Sequence, residues 1–280
     1  MSDPPATMVL MLQVCLNGSR SRDECPVVPV TAAELAEAAR AAVAAGAEAV
    51  RLHPRTLDGG DTLDAGAVAE ALLAVRAAVP GIPVGVSTGA RSVPDARRRA
   101  ALVRAWTVLP DHASVDWHED GADLVARALW ERGVGIEAGV RSGTDAAGRL
   151  RASPLSGQVQ RVLAGVTDTD PFTALATAKA LLRALGPGLG APVLLHGQGG
   201  GAWPVLRLAT ALGLARRVGL EDVTHTPDGH PATGNGALVR AARALTAPLG
   251  RSAAGRAGAW TAPRVAAPMR PRAARLVCGV

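Results

Sequence analysis

The sequence predicts one α/β domain, a single (β/α)8 TIM barrel over residues 1–250, followed by a disordered basic tail over residues 251–280. Apolar runs of strand length alternate with alanine-rich segments of helical period, a pattern typical of parallel βαβ units. Eight strands alternate strictly with eight helices, and eight parallel strands can close around a core of side chains. Apolar residues make up 48% of the chain, which is enough for such a core. A doubly wound open sheet is the alternative.

The first βα unit carries the clearest local signals. Residues 8–16 form an almost wholly apolar run, as expected for a strand buried in a parallel sheet. Thr31 and Glu34 have the capping-box spacing that starts a helix, and Gly46 is a typical stop. The first helix is therefore predicted over residues 32–45.

The same cycle continues to residue 247. Each further strand is a short apolar run, and each further helix has apolar residues at helical spacing. The predicted strands are residues 8–16, 49–53, 82–87, 112–117, 134–138, 160–165, 192–196 and 216–221. The predicted helices are residues 32–45, 64–78, 93–107, 120–132, 143–151, 171–186, 202–213 and 235–247.

Charge and composition exclude several classes of function. The tail 251–280 contains six arginines and no acid, so it accounts for the whole net charge of +6 and the barrel is neutral. We therefore expect no nucleic-acid binding by the barrel. No apolar window reaches the roughly 18 residues of a membrane span, and the chain start lacks the basic residues of a secretory signal. A cytoplasmic location is expected, with the three scattered cysteines as reduced thiols.

Polar residues collect where the predicted strands end. The loops after parallel barrel strands share one rim, which carries the chemistry of this fold. The residues at these strand ends include Asn17, His53, Ser87, Thr88, Asp116, His118, Glu119, Glu137, His196, Arg217, Glu221 and Asp222. Individual members also have ordinary structural explanations, such as helix caps or wall residues.

His53 and the acid pair Glu221 and Asp222 are the most specific feature of this rim. In a closed barrel the first and eighth strands are neighbours, and the second lies one strand farther on, so these side chains can face one point. An imidazole and a carboxylate there suit a divalent metal, zinc first, with an open position for substrate. Two ligands are too few for a stable zinc site, so a third must come from elsewhere. The alternative interpretation is a hydrogen bond between the histidine and the carboxylate without a metal.

Several ordered motifs carry a family resemblance. They are Cys15-Leu16-Asn17-Gly18, Ala49-Val50-Arg51-Leu52-His53-Pro54-Arg55, Ser87-Thr88-Gly89, Ser114-Val115-Asp116-Trp117-His118-Glu119-Asp120, Gly135-Ile136-Glu137-Ala138-Gly139, His196-Gly197-Gln198-Gly199 and Arg217-Val218-Gly219-Leu220-Glu221-Asp222. With them, residues 8–247 resemble the β-keto acid cleavage enzymes, a family of zinc-dependent (β/α)8 barrels that includes 3-keto-5-aminohexanoate cleavage enzyme.

The resemblance implies an acyltransferase or lyase activity. Enzymes of this family condense a β-keto acid with acetyl-CoA and cleave the adduct in retro-Claisen fashion to acetoacetate and a new acyl-CoA. It also implies a homo-oligomer and a Zn²⁺ ion that polarises the keto acid.

Roles for individual residues follow from the same resemblance. His53 and Glu221 resemble the zinc ligands, and Asp222 the general base. Arg217 resembles the residue that holds this base and the substrate carboxylate, and Ser87 a substrate-binding hydroxyl. Thr88, Glu137, Asn17 and Arg51, on the same rim, are further candidates for substrate binding.

Arg51 departs from the family pattern. The family usually has His-x-His on the second strand, whereas Arg51 stands at the first of these positions. Residues two apart on a strand point to the same face, so Arg51 would project beside His53. Its charge cannot ligate a metal and would repel one, by roughly 4 kcal/mol for two unit charges 4 Å apart at an effective dielectric of 20. Zinc binding should be weakened or lost.

Three outcomes of this departure are open. In the first, Arg51 turns onto Asp116, Glu137 or a substrate carboxylate, and His196 or His118 replaces the missing imidazole so that zinc is kept. In the second, the positive charge of Arg51 stands in for the metal in a metal-free enzyme. The third outcome is a catalytically inactive barrel that binds a carboxylate or acyl-CoA without converting it.

Overall fold

Eight parallel strands form a closed barrel in the order β1 to β8, as predicted. A computed structural model describes residues 11–56, 58–187 and 189–247 of the chain. The strands are β1 Leu12–Cys15, β2 Ala49–Leu52, β3 Val84–Ser87, β4 His112–Asp116, β5 Gly135–Arg141, β6 Val159–Val166, β7 Val193–Gly197 and β8 Ala215–Val218. The expected tail 251–280 lies outside the described residues.

Each strand is followed by an α-helix on the outside of the barrel. The helices are α1 Ala32–Ala44, α2 Ala65–Ala78, α3 Ala96–Ala105, α4 Ala122–Glu131, α5 Ala146–Ala152, α6 Ala174–Leu185, α7 Ala202–Ala211 and α8 Asn235–Thr246. Short 3-10 turns at Ser156–Gln158 and Gly199–Gly201 precede β6 and α7. In the described part of the chain, no helix combines the length and the apolar character needed to cross a membrane.

Local capping explains where the helices begin. The Thr31 side chain accepts a hydrogen bond from the Glu34 backbone N–H, and the Glu34 carboxylate accepts one from the Thr31 backbone N–H, which is the predicted capping box. Helix α3 starts later than expected because Asp95 caps it by accepting from Arg98 N at 2.7 Å. Val93, Pro94 and Asp95, at the start of the predicted helix, therefore stay outside it.

Strand β8 ends earlier than predicted, at Val218, because the chain turns at Gly219. A Cβ atom at Gly219 would overlap the backbone of Cys15 in the neighbouring strand β1, so the two segments come closer than any side chain would allow. Glu221 and Asp222 consequently lie on the loop after β8 and not on the strand. This close turn brings both acids over the end of the barrel.

The inside of the barrel is unusually polar. Branched apolar side chains dominate the interior of most barrels of this type. Here the buried interior includes polar and charged side chains from six strands, namely Gln13, Arg51, His112, Ser114, Glu137, Arg161 and Arg217. Because buried polar groups and charges need partners, these residues are joined by ion pairs and hydrogen bonds that lead up to the rim.

Candidate active site

A cavity of about 530 Å³ opens at the C-terminal ends of the strands. Its wall contains side chains from most of the rim loops. Those relevant to the chemistry are Arg51, His53, Asp61, Ser87, Asp116, Arg141, His196, Arg217, Glu221 and Asp222. Most of the residues selected from the sequence thus share one cavity, at the end of the barrel where this fold carries its active sites.

His53 and Glu221 meet in this cavity, as the sequence predicted. The distance from His53 Nε2 to Glu221 Oε2 is 3.6 Å, and His53 Nδ1 lies 3.5 Å from Asp61 Oδ2. Asn17 fixes the backbone of His53 from both sides, since its Oδ1 accepts from His53 N and its Nδ2 donates to His53 O, each at 2.9 Å. Asn17 is buried and does not line the cavity; it orients the strand end that carries the imidazole.

Arg51 binds Glu221 directly. Its Nη1 lies 2.8 and 2.9 Å from the two Glu221 carboxylate oxygens, and its Nη2 donates to Ser114 Oγ at 2.7 Å. The expectation that Arg51 turns onto Asp116 or Glu137 is therefore wrong. Asp116 pairs instead with Arg141 at 2.9 Å. Arg51 and His53 do lie on the same face of β2, because both reach Glu221 from that strand.

Arg217 and Asp222 form a second pair beside the first. Arg217 donates from Nε to Asp222 Oδ2 at 2.9 Å and from Nη2 to Asp222 Oδ1 at 2.5 Å, a planar fork on one carboxylate. Its Nη2 also reaches Glu221 Oε1 at 3.1 Å. Arg51, Arg217, Glu221 and Asp222 thus form one ion-pair cluster. His196 adjoins it, with Nδ1 3.2 Å from Asp222 Oδ1.

The cluster keeps its acids ionised although they are buried. Burial alone raises the pKa of Glu221, but Arg217, Arg51 and His53 lower it well below its ordinary value. Burial likewise raises the pKa of Asp222, and Arg217 and His196 bring it below its ordinary value. The pKa of His196 is lowered by burial and then by Arg217, which favours the neutral imidazole.

Ser87, Thr88 and Glu137 occupy different places around the cavity. Ser87 lines it. The Thr88 hydroxyl donates to Ser114 O at 2.7 Å and ties β3 to β4 outside the cavity wall. Glu137 lies deeper, fully buried, and pairs with Arg161 through Arg161 Nε at 2.9 Å. In this arrangement Thr88 and Glu137 support the barrel beneath the cavity and do not face its space.

Two polar groups of this region escaped the sequence analysis. Arg161 was missed because it lies in an apolar run, although its inward register opposite Glu137 is the signal that could have identified it. Asp61 lines the cavity on the loop after β2, where it pairs with Arg55 at 3.0 Å. The chain folds back there through an antiparallel bridge between Arg55 and Asp61, which no local pattern predicts.

The donors at His53 do not fit a zinc ion. Zinc takes at least three protein ligands in its usual sites, and the second strand supplies one imidazole instead of two. Within residues 11–56, 58–187 and 189–247, one group alone brings three potential ligand atoms within 4.8 Å of one another, namely Asp116, His118 and Glu119. His196 and His118 therefore do not complete the set formed by His53 and Glu221.

The group of Asp116, His118 and Glu119 is a possible metal-binding triad on the opposite side of the rim. Its carboxylates already have partners. Asp116 pairs with Arg141, and Glu119 accepts from Ala90 N at 2.8 Å and lies 3.2 Å from Arg99 Nη1.

Solved structures confirm the fold class. Type I 3-dehydroquinate dehydratase from Clostridium difficile superposes with a TM-score of 0.58 at 12% identity, over 86% of this chain and 93% of that one. The 3-hexulose-6-phosphate synthase from Salmonella typhimurium gives a TM-score of 0.55 at 15% identity, over 84% of this chain and 98% of that one. The likeness concerns the barrel, so the fold and cavity define a (β/α)8 protein with a charged site at its C-terminal rim.

The sequence assigns the barrel to a family. Residues 9–130 and 145–261 match the beta-keto acid cleavage enzymes, and the chain belongs to that family. A relative, the 3-oxoadipate:acetyl-CoA acetyltransferase of Cupriavidus necator, is 37% identical over 111 residues. That stretch spans 39% of this chain and 37% of the relative's length. The resemblance stated from the motifs is thereby confirmed at the level of the family.

Proposed function

We propose that the protein exchanges acyl groups between a β-keto acid and acetyl-CoA. The bond between the keto carbon and the carboxymethyl carbon of the acid breaks, and that carboxymethyl carbon forms a bond to the acetyl carbonyl. The products are acetoacetate and a CoA thioester of the released acyl group. Membership of the family and the name of the acetyl-CoA-dependent relative support this reaction.

The observation that carries the proposal is the Arg217 fork on Asp222 at the floor of the cavity. A carboxylate that is held ionised and oriented can accept the proton from the carbon between the keto group and the carboxylate of the substrate. Arg217 keeps this base in place, and His196 Nδ1 lies 3.2 Å from its Oδ1. Asp222 is thus proposed as the general base, with Arg217 as its positioning partner.

Binding of the acid would use the cationic side of the same cavity. A β-keto acid brings a carboxylate and, once deprotonated, an enolate oxygen, and both seek cationic or hydrogen-bond donors. Arg51, Arg217, His53 and the Ser87 hydroxyl line the cavity and provide such donors. The proposed orientation places the reacting carbon toward Asp222 and the anionic oxygens toward the arginines.

The test is an assay that measures both products directly. The full-length protein is incubated with acetyl-CoA and a panel of β-keto acids that includes 3-oxoadipate, and acetoacetate and new acyl-CoA species are measured by mass spectrometry. We expect both products in equal amounts and a loss of roughly 10²-fold or more in kcat for Asp222→Asn. The control Glu131→Gln removes a surface carboxylate paired with Arg104 and should keep full activity. Absence of both products with every acid would refute the proposal.

A second function is favoured by the contact between Arg51 and Glu221. Arg51 occupies the Glu221 carboxylate, which the family resemblance implies as a zinc ligand, so no metal is held there to polarise the keto group. A barrel that lacks this polarisation would bind a carboxylate or acyl-CoA without turnover. Saturable acetyl-CoA binding without acetoacetate formation identifies this case. The predicted homo-oligomer and cytoplasmic location stay predictions.

A further inference from the structure

The Glu221 carboxylate is engaged on its open side by a guanidinium group. Arg51 Nη1 is 2.8 Å from one oxygen and 2.9 Å from the other, and Arg217 Nη2 is 3.1 Å from Oε1. The nearly equal distances place Nη1 on the axis between the two oxygens. That is where a cation bound by both oxygens of a carboxylate would lie. Arg51 therefore occupies one of the positions that a metal would take.

The charges of the ion-pair cluster are balanced without a metal. Two guanidinium groups, Arg51 and Arg217, face two carboxylates, Glu221 and Asp222, and all four side chains are largely buried. A divalent ion among them would add two positive charges with no acid left to compensate. Buried charges without partners are strongly unfavourable, so the cluster opposes metal binding as well as supplying too few ligands.

Arg51 is also held in one position. Its strand is paired on both sides, with Arg51 opposite Cys15 of β1 and Gly85 of β3. Its Nη2 donates to Ser114 Oγ at 2.7 Å, and the residue is 5% exposed. A guanidinium that is fixed by its neighbours and lines the cavity can bind an anionic oxygen with little reorganisation.

We propose that this chain works without a metal between His53 and Glu221, and that Arg51, together with Arg217, supplies the positive charge that binds the anionic oxygens of the substrate. The identity of that substrate, a β-keto acid, rests on the proposed function. The claim that Arg51 excludes zinc does not depend on it. Arg51 is then a substrate-binding group at the position where the family resemblance implies a metal ligand.

Zinc binding tests the first part. Untagged wild type, Arg51→His, Arg51→Gln and Arg104→His are stripped with EDTA and titrated with ZnCl₂ against a chromophoric chelator. We expect wild type and Arg51→Gln to bind zinc no more tightly than Arg104→His, in which the new imidazole is exposed on the surface. Arg51→His should gain a stoichiometric site on the order of 10³-fold tighter, because it adds a ligand and removes a charge. Adding Glu221→Gln to Arg51→His should abolish that site.

Two results would overturn this part. One is stoichiometric zinc in wild-type protein that survives dialysis and is lost in Glu221→Gln. The other is a folded Arg51→His variant, judged by circular dichroism, that binds zinc no better than Arg104→His. If Arg51→His does not fold, the wild-type titration decides alone, since tight zinc refutes the proposal and surface-level binding supports it.

Binding of acetoacetate tests the role of Arg51 toward the anion. Isothermal titration calorimetry of wild type should give the same affinity in EDTA and in ZnCl₂. Arg51→Gln should bind at least about 10-fold more weakly, and Arg51→Lys should lie between, because lysine keeps the charge but not the planar fork. Equal affinity of Arg51→Gln and wild type would refute the role of Arg51.

The outcomes separate this inference from the proposed function. If zinc is excluded and acetoacetate binds through Arg51 while no acyl exchange occurs, the function fails and the inference stands. If acyl exchange occurs and is lost in EDTA and restored by zinc, the function stands and the inference fails.

Discussion

Replacing Glu137 by glutamine tests whether the buried ion pair beneath the cavity holds the barrel together. Glu137 is fully buried and accepts from Arg161 Nε at 2.9 Å and from Gln13 Nε2 at 3.1 Å. His112 Nε2 lies 3.7 Å away. Glutamine has nearly the same volume, so the change removes the charge and leaves the packing in place. The Arg161 guanidinium then stays in the interior without its counter-charge.

The expected loss of stability is large. Breaking a buried ion pair by removing one partner typically costs about 3–5 kcal/mol. Glutamine still accepts one hydrogen bond from Arg161, which places our expectation near 3 kcal/mol. With a urea dependence of roughly 3 kcal/mol per molar for a domain of this size, the unfolding midpoint should fall by about 1 M.

Urea unfolding at pH 7, followed by circular dichroism, measures this change. Glu131→Gln is the matched control, because Glu131 pairs with Arg104 at 3.0 Å on the surface and exposed pairs contribute about 0–1 kcal/mol. Replacing both buried partners, in Glu137→Leu with Arg161→Met, should recover part of the loss. If Glu137→Gln is no less stable than Glu131→Gln, the interior pair does not stabilise the barrel as argued.

The same pair predicts a pH dependence. Burial raises the pKa of Glu137, but Arg161, His112 and Arg51 lower it by more than burial raises it. The pKa therefore lies well below its ordinary value of 4.5. For a carboxylate with a depressed pKa in the folded state, the stabilisation is present above the unfolded pKa and is lost as the pH falls through the folded one. The difference between wild type and Glu137→Gln should therefore be full at pH 7 and shrink below about pH 4.5. A difference that grows in acid would contradict the sign of this shift.

Two further predictions concern a turn and a helix cap. Gly219→Ala should destabilise the barrel by about 1–3 kcal/mol, because the new Cβ would overlap the backbone of Cys15. It should also reduce acyl exchange, because this turn comes just before the two acids. In the control Gly148→Ala no atom lies within 4 Å of the new Cβ, so urea unfolding should show no loss of stability. Glu34→Ala should lower the stability by about 1 kcal/mol or less at pH 7, because solvent screening weakens the interactions of this half-exposed side chain. Hydrogen bonds from the Thr31 and Val30 backbone lower the pKa of Glu34 to about 2, so the deficit should shrink below about pH 4.5, and a constant deficit from pH 7 to pH 3 would contradict it.

The fold followed from the sequence because its signals are local and repeated. The eight strands and eight helices were each recognisable from apolar period, and the capping box at Thr31 and Glu34 is present as expected. The end of β8 was misplaced by three residues. Apolar character continues through Leu220, whereas the turn at Gly219 is decided by its close approach to Cys15, which is distant in sequence.

The site was predicted less completely than the fold. Strand period predicts which side chains share a face, whereas loop conformation decides which ion-pair partners they find. The two-residue period of β2 places Arg51 and His53 on one face, and closure of the barrel brings β8 near them, so the meeting of His53 with Glu221 could be predicted. The partner of Arg51 could not. Asp116 ends β4 and Glu137 lies inside β5, and each is engaged by another cation, Arg141 and Arg161, whose reach depends on neighbouring loops and register.

Charge compensation gives the reason why Arg51 selects Glu221. A buried guanidinium needs an acid that no other cation has neutralised, and the rim offers few of them. Asp222 is taken by both arms of Arg217, Glu137 by Arg161, and Asp61 by Arg55. Glu221 shares only one oxygen with Arg217, so it is the carboxylate with capacity left for a second cation. A histidine at position 51 would leave that capacity for a metal, whereas arginine fills it, and one substitution on β2 therefore decides which kind of cation the loop after β8 holds.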